Sequence, residues 1–499
     1  GGALCLFAAG LLDEGFRRCV RFWAVVLPLY VHYIWTDKVT YRRGGPRTLE
    51  ERDARFDRLH ERYSPIVESQ TLLLRGFYLK AAQVMSMRDD YVPRAYLEWT
   101  RRLQDAVPMH MSPDEAKRVV AEELGLGPGG VGEVLADWCD EPIGVASIGQ
   151  VYKARLKSTG EWVAIKVQAP NAERFFCADI WCLQMFTYFA LPWAYGNLVE
   201  VKKLFRSEFD YLEEFKNLET VRANLLPRWG HRIHVPRPIA EISSRRVLGM
   251  ELLRGEKLVS ALRKQMRPLA EREGKTVEQY EQEQAEKLRS DVSKAESARR
   301  LRWKTALWSW VQWLAGSGGE RPVDLGGIFE LLMAIHGHQV FEDGQFNPDP
   351  HPGNILLLED GKTLGLIDFG QLTSLTPELR LKLARLVVAL SRRDAPQVAA
   401  CERDIGVVRK HHREDVAYRI TSFWLDRDTD DVLQGMNMFD FLLWGEMQDP
   451  IVSQPEGYFL ACRCSVCLRG LALAFGVRLS TAEYWRPCAE ALLRKHGQL

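Results

Sequence analysis

The fold is decided by the stretch Asp349-Pro-His-Pro-Gly-Asn354-Ile-Leu-Leu, which is followed by Leu366-Ile-Asp368-Phe-Gly370. Between the two motifs lie an apolar run, Ile355 to Leu358, and a turn at Asp360-Gly361, so we predict a strand–turn–strand unit. Carboxylate and amide oxygens, together with phosphate oxygens, are the ligands that Mg²⁺ prefers. The residue types therefore predict a site for a metal and phosphate groups.

The spacing of these polar residues makes the prediction more specific. An Asp and an Asn on one loop, followed by Asp-Phe-Gly after a strand and a turn, stand in the order found in kinases. There the first Asp orients or accepts a hydroxyl proton, and the Asn and the second Asp hold the metal. This order predicts Asp349 as a catalytic residue and Asn354 and Asp368 as metal ligands. Asp-Phe-Gly alone recurs by chance, whereas the combination is specific.

A second element lies upstream, where Val163-Ala-Ile-Lys166-Val predicts a strand that presents one lysine. It follows a loop of small residues, which let backbone N–H groups approach phosphate oxygens. The candidate nucleotide-binding residues of this element are Gly144, Val145, Ala146, Ser147 and Lys166. A lysine buried against phosphates needs a carboxylate partner. The next helix offers Glu208, Asp210, Glu213 and Glu214, and the residues alone leave the choice open.

The segment Met250-Glu-Leu-Leu253 fits the hinge of a kinase, where backbone groups would meet adenine. We therefore expect Glu251 and Leu253 to be nucleotide-binding positions.

Together these motifs resemble the UbiB-type (aarF-domain) family of atypical kinases. The resemblance rests on Asp349 to Ile355, Ala146 to Val151, Val163 to Gln168 and Glu208 to Asn217, and it runs from about residue 60 to the C-terminus. It implies an α+β, two-lobed protein-kinase-like fold with a helical N-terminal extension and a helical C-terminal region. ATP or ADP and Mg²⁺ are the implied cofactors.

In that family a helix with a Lys-x-Gly-Gln motif folds over the active site as a regulatory lid. Here Lys80-Ala-Ala-Gln83 occupies that place. The resemblance implies that Lys80 contacts Glu208 and Asp210, and that Glu214 is the catalytic partner of Lys166.

Three departures from the family pattern stand out. Ala82 replaces the usual glycine of the lid motif, and Gly144-Val-Ala-Ser147 replaces Ala-Ala-Ala-Ser. Asn347 stands where a histidine is often found two residues before Asp349, and we expect it to alter loop support more than chemistry.

The amino-acid composition limits the classes of function that the protein can have. Apolar residues make up 46% and charged residues 27%, as in soluble globular proteins. Lys plus Arg total 67 against 66 for Asp plus Glu, so no net charge favours a nucleic-acid partner. The ten cysteines form no disulfide framework, so we expect reduced thiols in an intracellular compartment. Cys462-Arg-Cys464-Ser-Val-Cys467 is either a metal or redox cluster or a set of buried helix cysteines, and we favour the second.

We predict four segments along the chain. They are a membrane-proximal segment at 1–45, a helical extension carrying Lys80 and Gln83 at 46–130, an N-lobe at 131–253 and a C-lobe at 254–499. The C-lobe carries a charged insertion at about 262–304.

The first segment contains a run from Phe22 to Trp35 that is shorter than the roughly 20 apolar residues needed to span a bilayer. Its aromatic residues and basic flanks suit a helix at a membrane interface, and packing on the main domain is an equal alternative. Because the chain begins with Gly, we expect the natural N-terminus and any transit peptide to precede it. A mitochondrion or chloroplast is then the expected compartment of a eukaryotic protein.

Three functions fit these residues: an ATPase supporting quinone or isoprenoid-lipid metabolism at a membrane, a true protein or small-molecule kinase, and a nucleotide-binding scaffold without turnover. The family's link to quinone metabolism favours the first, with a membrane surface, an isoprenoid lipid and quinone-pathway proteins as partners. No Ala-Pro-Glu follows Gly370, which weighs against a peptide kinase, and the intact Asp349, Asn354 and Asp368 weigh against a scaffold.

Overall fold

The computed structural model describes residues 13–42, 49–86, 92–105, 109, 111–146, 148–190, 198, 202, 205, 207–277, 279–280, 283, 324–436, 438–475 and 477–499. As predicted, the fold is α+β, with helical N-terminal and C-terminal regions. The Trp-rich stretch after residue 302 and most of the charged insertion lie outside the described residues.

The strands of the described residues are β1 (Leu135–Trp138), β2 (Gly144–Val145), β3 (Gly149–Leu156), β4 (Trp162–Gln168), β5 (Ile233–His234), β6 (Val247–Glu251), β7 (Gly255–Lys257), β8 (Gln345–Phe346), β9 (Ile355–Leu358), β10 (Leu364–Leu366), β11 (Thr373–Ser374), β12 (Val408–Arg409) and β13 (Ile451–Ser453).

The helices of the described residues are α1 (Glu14–Arg42), α2 (Leu49–Leu74), α3 (Phe77–Ser86), α4 (Arg94–Asp105), α5 (Pro113–Glu123), α6 (Ala172–Ala190), α7 (Tyr211–Trp229), α8 (Leu258–Arg272), α9 (Leu325–His338), α10 (Pro377–Ser391), α11 (Ala395–Ile405), α12 (Glu414–Leu425), α13 (Asp430–Leu433), α14 (Met438–Gln448), α15 (Glu456–Ala474) and α16 (Thr481–Lys495).

The chain divides into two compact units. The first is Gly1–Phe215 with Pro238–Leu252, and the second is Lys216–Arg237 with Leu253–Leu499. The segment 216–237, which we expected in the N-lobe, belongs to the second unit because β5 pairs in parallel with β10 there.

The first unit is built around an antiparallel sheet in the order β1-β3-β4-β6, with β2 paired to β3. Buried apolar side chains of β3, β4 and β6 pack against Val119 and Val120 of α5. That helix begins at a capping box, in which Ser112 accepts the Glu115 N–H and the Glu115 carboxylate accepts the Ser112 N–H. The sheet places Lys166 in the middle of β4, opposite Val151 on one side and Leu248 on the other.

The second unit contains the predicted strand–turn–strand. β9 and β10 pair antiparallel, and Gly361 adopts the positive φ of 67° that the turn requires. The four-stranded sheet has the order β5-β10-β9-β7, and the described residues of the unit also form the two-stranded sheets β8–β11 and β12–β13 and a set of helices. Helix α8 continues to Arg272 with Leu262 and Ala270 buried, so the start of the charged segment packs in this unit.

The N-terminal helix differs from the prediction in length. Phe22 to Trp35 lies inside α1, whose residues Glu14–Lys38 are long and apolar enough, by length and composition, to cross a membrane. The prediction counted only the uninterrupted apolar run, whereas the helix continues through its charged ends. One face of α1 packs in the first unit: Phe22 is buried, and the Arg18 guanidinium pairs with the buried Asp179 of α6.

Candidate functional site

In the first unit, the strand lysine has a carboxylate partner. Lys166 Nζ lies 2.9 Å from Oε1 and 2.8 Å from Oε2 of Glu214, and both side chains are buried. The ammonium also lies 5.1 Å from the centre of the Tyr211 ring. The structure thus confirms the pairing with Glu214 that the resemblance implied. The role of this pair in binding a nucleotide stays a prediction.

The position of Glu214 follows from how α7 begins. Asp210 Oδ1 accepts the Leu212 N–H at 3.0 Å, as a helix-capping side chain does. The Tyr211 N–H donates to the Arg245 carbonyl at 2.9 Å, and Gln168 Nε2 donates to the Phe209 carbonyl at 3.2 Å. These bonds tie the start of the helix to its surroundings in the first unit. Glu214, in the first turn, therefore reaches β4.

The small-residue loop joins β2 to β3. Gly144 and Val145 pair with Val151 and Gln150, and the Ala146 N–H donates to the Gly149 carbonyl at 2.8 Å. Ser147 lies outside the described residues. A Cβ at Gly149 would lie 2.5 Å from the Val167 carbonyl oxygen and 2.8 Å from the Tyr211 hydroxyl. Glycine is therefore required at this position, beside the strand that carries Lys166.

The predicted lid residue Lys80 lies on α3, and its Nζ is 3.7 Å from Glu208 Oε1. It also lies 5.6 Å from the centre of the Phe205 ring. Ala82, which replaces the usual glycine, is buried in a cluster with Leu79 and Trp99. The predicted contact with Glu208 is confirmed. The side chain of Gln83 lies outside the described residues.

In the second unit, Asn347 joins the two predicted acidic residues. Its Oδ1 accepts the Asp349 N–H at 2.9 Å, and its Nδ2 donates to the Asp368 carbonyl at 3.1 Å. Asp349 itself is buried. Asn347 thus supports the loop through these two hydrogen bonds, and the expectation that it affects loop support more than chemistry stays a prediction.

The metal-ligand candidates are held by backbone contacts of the same unit. The Ile367 N–H donates to the Asn354 carbonyl at 3.1 Å, which joins the loop of Asn354 to the residue before Asp368. Asp368 Oδ1 accepts the Gly370 N–H at 3.1 Å. Asn217 Nδ2 donates to the Phe369 carbonyl at 2.8 Å, so α7 supports the Asp-Phe-Gly turn.

The donor set fits Mg²⁺ chemically. Among the described residues, no group of three or more His, Cys, Asp or Glu side chains is placed to hold a metal ion. Mg²⁺ in a phosphate site needs fewer protein ligands, since one carboxylate, one amide oxygen, phosphates and water complete its octahedron. Asp368 and Asn354 have side chains of these two types and would hold the ion, which stays a prediction.

The two hinge candidates lie on either side of the division between the units. Glu251 ends β6 and belongs to the first unit, whereas Leu253 belongs to the second. Leu253 packs near Gly365 of β10, where a Cβ would lie 3.0 Å from Leu253 Cδ1.

Sequence reasoning missed Arg463 of α15. Its Nη2 lies 3.2 Å from Asp349 Oδ2, and its Nη1 donates to Gln371 Oε1 at 3.1 Å. No motif pointed to it, because the partner lies far along the chain and a lone arginine on a helix has no local signature. The arrangement could be found only from the tertiary packing of α15.

The cysteines beside Arg463 are helix residues, as favoured. Cys462 and Cys464 are buried in α15, and burial raises the pKa of Cys462 to about 12. The thiol therefore stays protonated at neutral pH and is a poor metal ligand.

Comparison with known proteins shows the family. Residues 102–296 and 314–402 match the family model described as the ABC1 atypical kinase-like domain. The chain is 24% identical to the Arabidopsis thaliana chloroplastic protein ACTIVITY OF BC1 COMPLEX KINASE 7, over 96% of this chain and 62% of that protein. It is 26% identical to AarF domain-containing protein kinase 1 of Gallus gallus, over 74% of this chain and 61% of that protein.

Among solved structures, Rv3197 of Mycobacterium tuberculosis, determined with erythromycin, aligns with a TM-score of 0.47 and 18% identity. The alignment covers 89% of this chain and 98% of that structure. The chain spans less than two thirds of the length of the two curated relatives named above.

Proposed function

Because the chain belongs to the family of ABC1 atypical kinase-like domains, the UbiB-type atypical kinases, we propose that it is an ATP-dependent phosphotransferase-like enzyme that acts as an ATPase. The observation that carries this proposal is the set Asp349, Asn354 and Asp368, held together in the second unit by the Asn347 side chain and the Asn354 carbonyl. The paired Lys166 and Glu214 of the first unit support it.

Each residue has a chemical task in this proposal. Lys166, kept ionised and oriented by Glu214, binds phosphate oxygens, and the N–H groups of the loop at Gly144 to Ala146 approach the same phosphates. Asp368 and Asn354 hold Mg²⁺, which when bound neutralises charge on the transferring phosphoryl group. Asp349 orients the attacking water and accepts its proton. Glu251 and Leu253 offer backbone groups to the adenine.

The short segment after Asp-Phe-Gly favours water over a peptide as the acceptor. β11 pairs with β8 directly after Leu372, and Thr376 caps α10, whose first residue is Pro377. Only six residues therefore separate Gly370 from a helix. Such a segment leaves little chain with which to bind an extended peptide substrate.

A lid and a membrane contact complete the proposal. By the family resemblance, α3 with Lys80 regulates access to the nucleotide through Glu208 and Asp210. Exposed apolar side chains of α1 (Leu27, Val31 and Trp35) and of α6 (Trp181, Tyr188 and Phe189) suit a membrane surface. We propose that the protein acts there in quinone or isoprenoid-lipid metabolism, in an organelle such as the chloroplast of its Arabidopsis relative.

The decisive experiment is thermal stabilisation by ATP or ADP, with and without Mg²⁺, followed by phosphate release. Asp368→Asn should abolish the Mg²⁺-dependent stabilisation of the wild-type protein. Asp360→Asn is the matched control, because Asp360 lies in the adjacent exposed turn and binds only backbone N–H groups and Thr363 in the structure described. Undiminished stabilisation of Asp368→Asn would place the metal elsewhere.

Phosphate release separates the remaining functions. Nucleotide binding without phosphate release would favour a scaffold. Transfer to an added protein or small molecule that exceeds the release of free phosphate would favour a kinase.

A further inference from the structure

Arg463 makes two different contacts with its guanidinium. Nη2 meets Oδ2 of Asp349 at 3.2 Å, and Nη1 donates to Oε1 of Gln371 at 3.1 Å. The two partners come from separate parts of the candidate site. Asp349 lies in the loop before Asn354, and Gln371 directly follows Asp368-Phe-Gly370. One side chain thus fixes both segments.

This ion pair is largely shielded from solvent. The Arg463 side chain is 20% exposed and that of Asp349 is 8% exposed. Arg463 belongs to a buried part of α15, where Cys462 and Cys464 are also buried. A carboxylate in such a place requires a cation or hydrogen bonds to stay ionised. Arg463 supplies the positive charge.

A second arginine of the same helix shows what a purely structural role looks like. Arg469 is buried, donates to the Phe423 carbonyl and lies 3.8 Å from Asp428. None of these partners is a candidate functional residue. Arg463, by contrast, contacts the predicted catalytic carboxylate itself.

We propose that Arg463 is the positioning residue of Asp349. It holds the carboxylate by one oxygen and ties it to Gln371, so that the reacting water meets Asp349 in one fixed orientation. This inference rests on the proposed ATPase function. The planar guanidinium can serve two acceptors at once, which the single ammonium of a lysine does with poorer geometry.

The test compares steady-state ATP hydrolysis by the wild-type protein, Arg463→Ala, Arg463→Lys and Gln371→Ala. Because misplacement of a reacting group by about 1 Å can cost about 100-fold, we expect Arg463→Ala to lower kcat by about 10- to 100-fold, with the KM for ATP within about threefold of wild type. The kcat of Arg463→Lys should fall between those of the wild type and Arg463→Ala. Gln371→Ala should lower kcat less than Arg463→Ala does.

Two controls separate positioning from damage to the fold. Added methylguanidine should restore part of the kcat of Arg463→Ala and none of that of Asp349→Asn. Arg469→Gln should lower the melting temperature while the folded protein keeps its kcat. Wild-type kcat in Arg463→Ala would overturn the inference. So would a loss of kcat that methylguanidine leaves unchanged and that disappears when only the folded fraction of Arg463→Ala is counted.

The outcome for the wild-type protein keeps the two proposals distinct. Absence of Mg²⁺-dependent nucleotide binding overturns the proposed function and the inference with it. Nucleotide binding without turnover overturns the catalytic part of both. Turnover that is unchanged in Arg463→Ala overturns the inference alone.

Discussion

Lys166 Nζ contacts both carboxylate oxygens of Glu214, at 2.9 and 2.8 Å, and neither side chain is more than 10% exposed. Removing one partner of a buried pair leaves an uncompensated charge, which typically costs about 3–5 kcal/mol. We therefore expect Glu214→Gln to lower the melting temperature by several degrees and to weaken nucleotide binding.

The double variant Lys166→Met/Glu214→Gln is the matched control. It removes both charges, so it should recover much of the lost melting temperature and none of the nucleotide binding. A Glu214→Gln protein that melts like the wild type would mean that the pair is not preserved in solution.

Lys80 and Glu208 form a weaker pair, 3.7 Å apart and with side chains 18% and 13% exposed. Partly exposed pairs contribute about 1 kcal/mol or less, so charge reversal should loosen α3 without unfolding the unit. We expect Lys80→Glu to increase hydrogen exchange in α3 and to raise ATP turnover, as removal of a lid would.

Exchanging the charges in Lys80→Glu/Glu208→Lys should restore both properties. Arg102→Glu, which reverses a charge in an exposed pair with Glu68, should change neither. Faster exchange in α3 without a change in turnover would contradict the lid role.

Gly149, the first residue of β3, and Gly144, the first residue of β2, differ in the space around them. A Cβ at Gly149 would meet the Val167 carbonyl at 2.5 Å, whereas at Gly144 the nearest atom, Val151 Cβ, is 3.9 Å away. We expect Gly149→Ala to destabilise the protein by about 1–3 kcal/mol, as overpacking does. Gly144→Ala should stay within about 0.5 kcal/mol of wild type, as at an open site.

Thermal melting of the two variants measures this difference. Equal melting temperatures for Gly149→Ala and Gly144→Ala would show that β3 and β4 do not approach as closely as described.

A structural feature can be predicted from the sequence when the residues that determine it lie close together in the chain. Asp349, Asn354 and Asp368 stand at fixed separations around a hairpin whose turn needs Gly361, so local pattern was enough to predict them. The pairing of Lys166 with Glu214 required the family resemblance, because four acidic residues of that region satisfy the charge argument equally well.

Such reasoning could not predict the contacts of three further residues, Arg463, Asn217 and Gln168. Each supports the candidate site through a long-range hydrogen bond or ion pair, and such a bond depends on which helix packs where. The limits of α1 were missed for another reason. A count of apolar residues stops at the first charge, Arg21, although arginine is a good helix former, and Arg18 lies within the helix and pairs with Asp179 of α6.

His338 of α9 makes the stability of the protein depend on pH. The hydrogen bond and charge of Asp343, reinforced by Glu342, raise its pKa above the ordinary 6.5, although burial opposes this. Arg228 lies 2.9 Å from Glu342 in the same group. A histidine whose pKa is raised on folding stabilises the protein below pH 6.5 and loses that contribution as the pH rises through the folded pKa.

We therefore expect His338→Gln to lower the melting temperature most near pH 6, with the difference from wild type shrinking as the pH approaches 9. Burial lowers the pKa of the neighbouring His336 to about 4, so His336 is neutral throughout this range. A difference between wild type and variant that stays constant from pH 6 to pH 9 would contradict the charged pairing of His338.

The apolar side chains of α1 fall on two faces. Phe22 is buried, and Trp23 and Tyr30 contact Phe186 of α6 with ring centres 6.5 and 5.3 Å apart. Leu27, Val31 and Trp35 are more than 50% exposed and recur at helical spacing. Deleting the helix would therefore strip packed residues as well as exposed ones, so point substitutions on the exposed face are the sharper test.

We expect the wild-type protein to bind liposomes containing anionic lipid and to hydrolyse ATP faster when bound. Leu27→Glu/Val31→Glu should abolish both effects, because charge on this face is repelled by the anionic surface, and should leave basal nucleotide binding intact. Leu443→Glu/Met447→Glu, on exposed positions of α14, is the matched control and should bind liposomes as wild type does.

Release of bound protein by salt would indicate surface attachment, whereas resistance to alkaline extraction would indicate that Glu14–Lys38 spans the bilayer. Liposome binding that survives Leu27→Glu/Val31→Glu would place the membrane contact on another surface.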